Sequence, residues 1–358
     1  MTITIFGESH GPYIGAVLDG LAPGMEIDHE FIKSQLTLRR PAGKISTARV
    51  EADEYEIVSG VFENKTTGTP LTIIIPNKVQ HSKDYDNLSR VARPGHADYA
   101  AYCKYHGYED FRGGGHFSGR ITAAIVAAGA ICLSALHEKG IEVGSHIKSC
   151  GGVCDREFAD ILSDIRELNK MEFAVLDKDK AVNMREVMEK VAAEGDSVGG
   201  VLETAVIGMP KGVGEPWFDT VEGELAHALF SIPAIKGVQF GAAFDMVNNK
   251  GSEYNDPFRM DGDNVITTTN NNGGINGGIT NGMPILFRCA VKPTPSIYKE
   301  QKSIDFINDT DADLVIKGRH DPAIIHRARV VVDSMTAIVI YDMLASRFGT
   351  DFFGGEAK

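Results

Sequence analysis

Residues 121–137, reading ITAAIVAAGAICLSALH, restrict the fold more than any other stretch of the chain. The run holds no lysine, arginine or acidic residue and is rich in alanine, so it predicts a helix that is apolar all round and buried on most sides. Gly140 is positioned to end it. Other elements must cover that helix. Residues 2–6 read as a short strand entering a Gly-Glu-Ser-His-Gly turn, and residues 71–75, between Pro70 and Pro76, as a buried or half-buried strand. Asp28 is the expected N-cap of a helix whose inner face is Phe31, Ile32 and Leu36 and which Pro41 limits. Helices are expected at 157–168, 183–194, 220–230 and within 330–348, with Asp219 and Glu222 at capping-box spacing before the third. Strands are expected at 201–207, 237–243 and 285–291. These elements show no regular βαβ alternation, which favours an α+β architecture with mostly antiparallel sheets. No repeat or linker divides the chain, so residues 1–358 are read as a single domain with long functional loops.

With 43% hydrophobic residues over 358 positions, the chain can close a large core. The amino terminus lacks a basic region followed by a long apolar stretch, and neither secretion nor membrane spanning is expected. Cys103, Cys132, Cys150, Cys154 and Cys289 are sparse and odd in number, unlike a disulfide-stapled scaffold, so a cytoplasmic location is expected. Cys150 and Cys154 lack a second ligand pair, and no metal site is expected. A net charge of −13 disfavours nucleic acid as a partner. Arg39, Arg40, Lys44 and Arg49 nevertheless cluster, as do Arg90 and Arg93. A small anionic substrate in a local basic pocket fits this distribution, and ordinary surface arginines fit it too.

Six segments carry the chemistry-bearing residues. In Gly7-Glu8-Ser9-His10-Gly11, an imidazole follows a strand closely enough to act from a rigid base, as a proton donor or as a structural hydrogen-bonding group. Arg93-Pro94-Gly95-His96-Ala97-Asp98 brings a guanidinium and an imidazole to one turn, where Asp98 can also form a surface salt bridge. Arg112-Gly113-Gly114-Gly115-His116-Phe117-Ser118-Gly119-Arg120 bares backbone N–H groups just before the buried helix, a natural phosphate seat or a glycine loop capped by Ser118. The Asn/Gly run 270–279 and Lys292-Pro293-Thr294-Pro295-Ser296 suit a flat polar ring with a phosphate tail, or a plain surface loop. In Gly318-Arg319-His320-Asp321-Pro322, Arg319 can clamp an anion and Asp321 can accept a proton, unless the turn merely neutralises itself.

Taken in order, GESHG at 7–11, RRP at 39–41, SGVF at 59–62, TTGTP at 66–70, RPGHADY at 93–99, RGGG at 112–115, EGDSVGG at 194–200, KP at 292–293 and GRHDP at 318–322 resemble the chorismate synthase family over nearly the whole chain. The resemblance implies a β-α-β sandwich with antiparallel sheets flanking a helical core, assembled as a homotetramer. It implies a lyase that converts 5-enolpyruvylshikimate 3-phosphate to chorismate and phosphate by trans-1,4 elimination, with reduced FMN and no net redox change. His10 resembles the acid at the substrate phosphate, His96 the histidine at reduced flavin, and Asp321 the carboxylate that assists proton removal. Arg39, Arg93, Arg120 and Arg319 resemble substrate-binding cations; Ser118, Gly274, Lys292, Thr294 and Ser296 match flavin-contact regions. His116-Phe117 departs from the family's usual Arg-Ser, and Lys44 stands near an arginine position. A flavin-dependent oxidoreductase and a phosphate-ligand binding module are the competing functions. Flavin reduction by NADPH on this chain and by an external reductase both remain open.

Overall fold

In the computed structural model, which describes residues 1–41, 45–46, 52–78, 90–316 and 321–355, two antiparallel sheets enclose the buried helix. The first sheet uses Thr2–Gly7 (β1), Tyr13–Asp19 (β2), Glu56–Ser59 (β3) and Leu71–Pro76 (β4), in the order β1-β2-β4-β3. The second uses Glu142–Cys150 (β5), Val153–Cys154 (β6), Gly200–Ile207 (β7), Ile235–Phe240 (β8) and Ile285–Val291 (β9), in the order β8-β9-β7-β5-β6. Every neighbouring pair is antiparallel. Period-two burial explains the inner faces: Ile14, Ala16 and Leu18 of β2 and Leu71, Ile73 and Ile75 of β4 are fully buried.

Between the sheets lie His29–Leu38 (α1), Thr122–Glu138 (α3), Val221–Phe230 (α6) and Ile325–Phe348 (α7), with Asp98–Tyr105 (α2), Ile161–Leu168 (α4) and Lys178–Ala193 (α5) completing the helices used below. α3 packs on the first sheet, α7 on the second, and the two on each other. The sandwich expected from the sequence is therefore present. A Cβ on Gly129 of α3 would lie 2.4 Å from Ser334 Cβ of α7, so glycine sets how closely these helices approach. The segment Gly119–Glu138 is long and apolar enough to cross a membrane, but 83% of its apolar window is buried within the protein. It is a core helix.

Several element boundaries differ from the sequence expectations. Asp28 does cap α1 by accepting from Phe31 N at 2.9 Å. α6, however, is capped by Thr220, whose hydroxyl accepts from Gly223 N at 2.9 Å; Asp219 belongs to the preceding turn Trp217–Asp219. α4 begins after its cap Asp160 rather than at 157, and α5 starts at Lys178 because Asp177 caps it. β8 covers Ile235–Phe240, and Gly241 with φ +53° turns the chain out of the expected 237–243 strand. α7 begins at Ile325, ahead of the expected 330.

α7 carries a buried ion pair: Arg329 and Asp333 are 2% and 3% exposed, and Arg329 Nη1 donates to Asp333 Oδ2 at 3.2 Å. Ser145 of β5 also donates to Asp333, and Arg329 Nη2 donates to Met171 O at 3.2 Å. Burial pushes the Asp333 carboxyl up and the Arg329 guanidinium down, against their mutual attraction. Asp333→Ala, which strands a buried cation, is expected to remove about 3–5 kcal/mol of stability in equilibrium denaturation. A loss below about 1 kcal/mol would mean that water or another acceptor satisfies Arg329.

Candidate active site

The turn after β1, the segment before α2, the glycine turn before α3, the end of α1 and the start of α7 all contribute to one cavity of about 1390 Å³. Its lining includes His10, Arg39, Arg93, His96, Ser118, Arg120, Lys292, Thr294, Ser296 and Asp321, ten of the residues singled out in the sequence. Arg319 and Lys44 lie outside the described residues. Gly274 does not line this cavity: a Cβ there would lie 2.5 Å from Pro284 O, so its close approach is to its own chain.

Geometry explains the glycines differently from a bare phosphate cradle. Gly113, Gly114 and Gly115 all have positive φ, at +60°, +85° and +53°. A Cβ on Gly113 would meet the His10 ring at 2.3 Å, and one on Gly114 would meet the His96 ring at 3.3 Å. The third would meet Asp110 O at 1.9 Å. Two imidazoles and a carbonyl thus lie against this backbone, and any side chain would displace them. Gly113→Ala is expected to lower turnover about 10²-fold by moving His10, and to lower the melting temperature as well because alanine is strained at this φ. Turnover within about twofold of wild type would show that His10 tolerates the shift.

Asp98 organises the other histidine. It accepts from Arg93 Nε at 2.8 Å and Nη2 at 2.7 Å, and its Oδ1 lies 2.6 Å from His96 Nδ1. Arg93 Nη2 also reaches His96 Nδ1 at 3.0 Å, so this nitrogen faces the Arg93–Asp98 pair while Nε2 lies beside Gly114. Burial acts to raise the Asp98 carboxyl, but the Arg93 and His96 hydrogen bonds hold it well below the usual carboxylate range. The salt bridge foreseen for Asp98 exists, yet it is buried in the cavity wall; the Arg93, Asp98 and His96 side chains are 7%, 9% and 16% exposed.

A second carboxylate, Asp53, went unnoticed in the sequence because nothing in Glu51-Ala52-Asp53-Glu54 separates it from a solvated acidic run. Its Oδ2 accepts from Arg39 Nη1 at 3.2 Å, and its Oδ1 accepts from Arg120 Nη1. Arg39 further donates to Thr122 Oγ1 at 3.1 Å and to the carbonyls of Gly119 and Arg120 at 3.1 and 3.2 Å. Arg39 therefore braces the entrance to α3 as well as lining the cavity. Asn77, also missed, accepts from Arg120 Nε at 2.9 Å and donates to the carbonyls of Glu8 and Gly11 at 3.0 and 2.8 Å, tying Arg120 to the His10 turn.

Arg327 is the third residue that only the structure reveals. From the first turn of α7 it donates through Nη1 to Asp321 Oδ2 at 2.6 Å and through Nε to Arg39 O at 2.9 Å. Helical spacing in the sequence offered no signal for a side chain that reaches back across the turn. Its neighbour His326 is buried beside Ser46 Oγ at 2.7 Å, and burial pushes its imidazole down to about 4, so it is neutral near pH 7. At the departure from the family pattern, His116 Nδ1 lies 2.8 Å from Gly7 O, and the carbonyl fixes the hydrogen on that nitrogen. Phe117 lines the cavity beside it, its ring 6.3 Å from Tyr105.

Buried guanidiniums gathered around a cavity are costly unless carboxylates and an arriving anion offset their repulsion. The fold and site thus define an α+β enzyme acting on an anionic substrate. A profile of the chorismate synthase family matches residues 1–345. The chorismate synthase of Korarchaeum cryptofilum is 44% identical over 339 residues, covering 94% of this chain and 93% of that one. The chorismate synthase of Dehalococcoides mccartyi is 45% identical over 349 residues, covering 97% and 95%. A crystal structure of chorismate synthase superposes with a TM-score of 0.75 at 30% identity, covering 97% of this chain and 92% of that chain. The chain belongs to the chorismate synthase family.

Proposed function

We propose that this cavity converts 5-enolpyruvylshikimate 3-phosphate to chorismate and phosphate by trans-1,4 elimination. The observation that carries the reading is the convergence of His10, Arg93, His96, Arg120, Asp321 and Arg327 on one cavity. The substrate bears two carboxylates and a phosphate, and the arginines supply charge-assisted donors for them. His10 donates a proton as phosphate leaves C3, and Asp321 assists removal of the hydrogen at C6. In this reading the two tasks fall to different segments, the turn after β1 and the residues before α7.

The polar groups on the cavity wall support reduced FMN as the cofactor. Thr294 Oγ1 is buried at the cavity wall with no hydrogen-bond partner among the described residues, as a ligand-contacting hydroxyl would be. Lys292 and Ser296 flank it, and Ser118 lines the cavity while capping the turn before α3 through Arg120 N. The volume also exceeds the roughly 300–1,000 Å³ of an ordinary single-ligand pocket. Lys292, Thr294, Ser296 and Ser118 would hold the flavin, Phe117 would offer an aromatic surface, and His96, oriented by Asp98, would present Nε2. When bound, reduced flavin supplies electron density to the allylic system as phosphate departs.

The whole chain, 1–358, acts as one catalytic unit in this reading. Homotetramer formation is supported by the exposure of Trp217, Phe218, Phe244 and Phe258, at 86%, 93%, 76% and 67%. A cytoplasmic location is supported by the unpaired state of all five cysteines. The test is an anaerobic assay with the enolpyruvyl phosphate substrate and chemically reduced FMN. Chorismate and phosphate should appear without stoichiometric flavin consumption. Stoichiometric oxidation would favour an oxidoreductase, and binding without turnover a phosphate-ligand module. Repeating the assay with oxidised FMN and NADPH separates an intrinsic reductase from dependence on an external one.

A further inference from the structure

We infer that Asp53 is the positioning residue of the cationic pocket: its carboxylate holds Arg39 and Arg120 in the arrangement that receives an anion. The inference deepens the proposed function and rests on the same cavity being the substrate site. One oxygen of Asp53 goes to each guanidinium. All three side chains are nearly closed to solvent, at 1% for Asp53, 6% for Arg39 and 5% for Arg120. All three line the cavity. Two guanidiniums this deeply buried repel each other, and a carboxylate between them lowers that penalty.

The backbone supports a specific role. Asp53 has φ +49°, a left-handed conformation uncommon outside glycine, and it is kept where an extended chain would swing the carboxylate elsewhere. Asn77 extends the same unit, because it binds Arg120 Nε and the carbonyls on either side of His10. Asp53 thus fixes the planes of both guanidinium forks before the anion arrives, and fork geometry rather than charge alone decides bidentate recognition. Its influence reaches the ligand through the arginines. Loss of this ordering acts on binding in the ground and transition states alike, so it is read in KM more than in kcat.

The experiment compares wild type with Asp53→Asn, which keeps the shape and removes the charge. Calorimetric titration with inorganic phosphate, without flavin or substrate, is paired with steady-state kinetics under anaerobic reducing conditions and with thermal denaturation. Phosphate affinity is expected to fall about tenfold or more, and KM to rise by a similar factor, while kcat stays within about threefold. Unchanged or tighter phosphate binding by folded Asp53→Asn, an unchanged KM, or no phosphate binding by wild type overturns the inference. If Asp53→Asn does not fold, Asp53→Glu is read instead: it keeps the charge but moves the carboxylate by one methylene. Weakened phosphate binding then supports positioning, and wild-type affinity overturns it. Wild-type protein that binds phosphate through Asp53-dependent contacts yet yields no chorismate would defeat the proposed reaction and leave the Asp53 assignment standing.

Discussion

Replacing His10 by alanine is expected to lower turnover by about 10²–10⁴, the range for a lost proton transfer, while the fold and flavin binding stay largely intact. The imidazole is 4% exposed and lies against Gly113, so its removal opens space at the cavity wall without breaking a strand or helix. The turn itself is held by other bonds: Ser9 N donates to Gly115 O at 3.0 Å, and Asn77 donates to the carbonyls of Glu8 and Gly11. A drop in turnover with an unchanged melting temperature would assign His10 to the chemistry. Wild-type turnover at saturating substrate and reduced flavin would remove it from the mechanism.

For Asp321→Asn, removal of the C6 hydrogen is expected to slow by about 10²-fold or more, because an amide cannot accept a proton. Single-turnover measurements with C6-deuterated substrate report that step directly, and a larger isotope effect should accompany the slower rate. Arg327 makes the comparison sharp. Its Nη1 grips Asp321 Oδ2 at 2.6 Å, and an asparagine oxygen can still accept that bond, so the side chain keeps its place while losing its basicity. A wild-type rate of C6 hydrogen removal would reject the assignment.

These two residues were legible in the sequence because each sits in a compact motif, GESHG or GRHDP, with a glycine or proline that fixes the local turn. Asp53, Asn77 and Arg327 were not. Asp53 lies in an acidic run, Asn77 just beyond β4, and Arg327 on a helix whose burial pattern names its apolar neighbours but not the direction of a long cationic arm. Each has a partner far along the chain: Asp53 meets Arg120, 67 positions away, Asn77 meets Arg120, 43 away, and Arg327 meets Arg39, 288 away. No local pattern encodes such distances. Capping chemistry was equally mixed. Asp28 was readable as a cap, whereas at α6 the competition between Asp219 and Thr220 was decided by the turn Trp217–Asp219, which leaves Thr220 as the last extended residue.

By itself, the sequence determined that α3 must be buried, since an uncharged alanine-rich helix has no face for water, and its ordered motifs determined the family. It also determined which imidazoles and guanidiniums were candidates for the chemistry. Tertiary structure alone decided why three glycines precede α3: two of them receive the His10 and His96 rings. It likewise decided that the cations come with internal carboxylates, Asp98 for Arg93 and Asp53 for Arg39 and Arg120. The physical reason is common to both findings. Composition fixes which groups must avoid water, but a buried charge is tolerable only beside a partner, and the fold chooses that partner from anywhere in the chain.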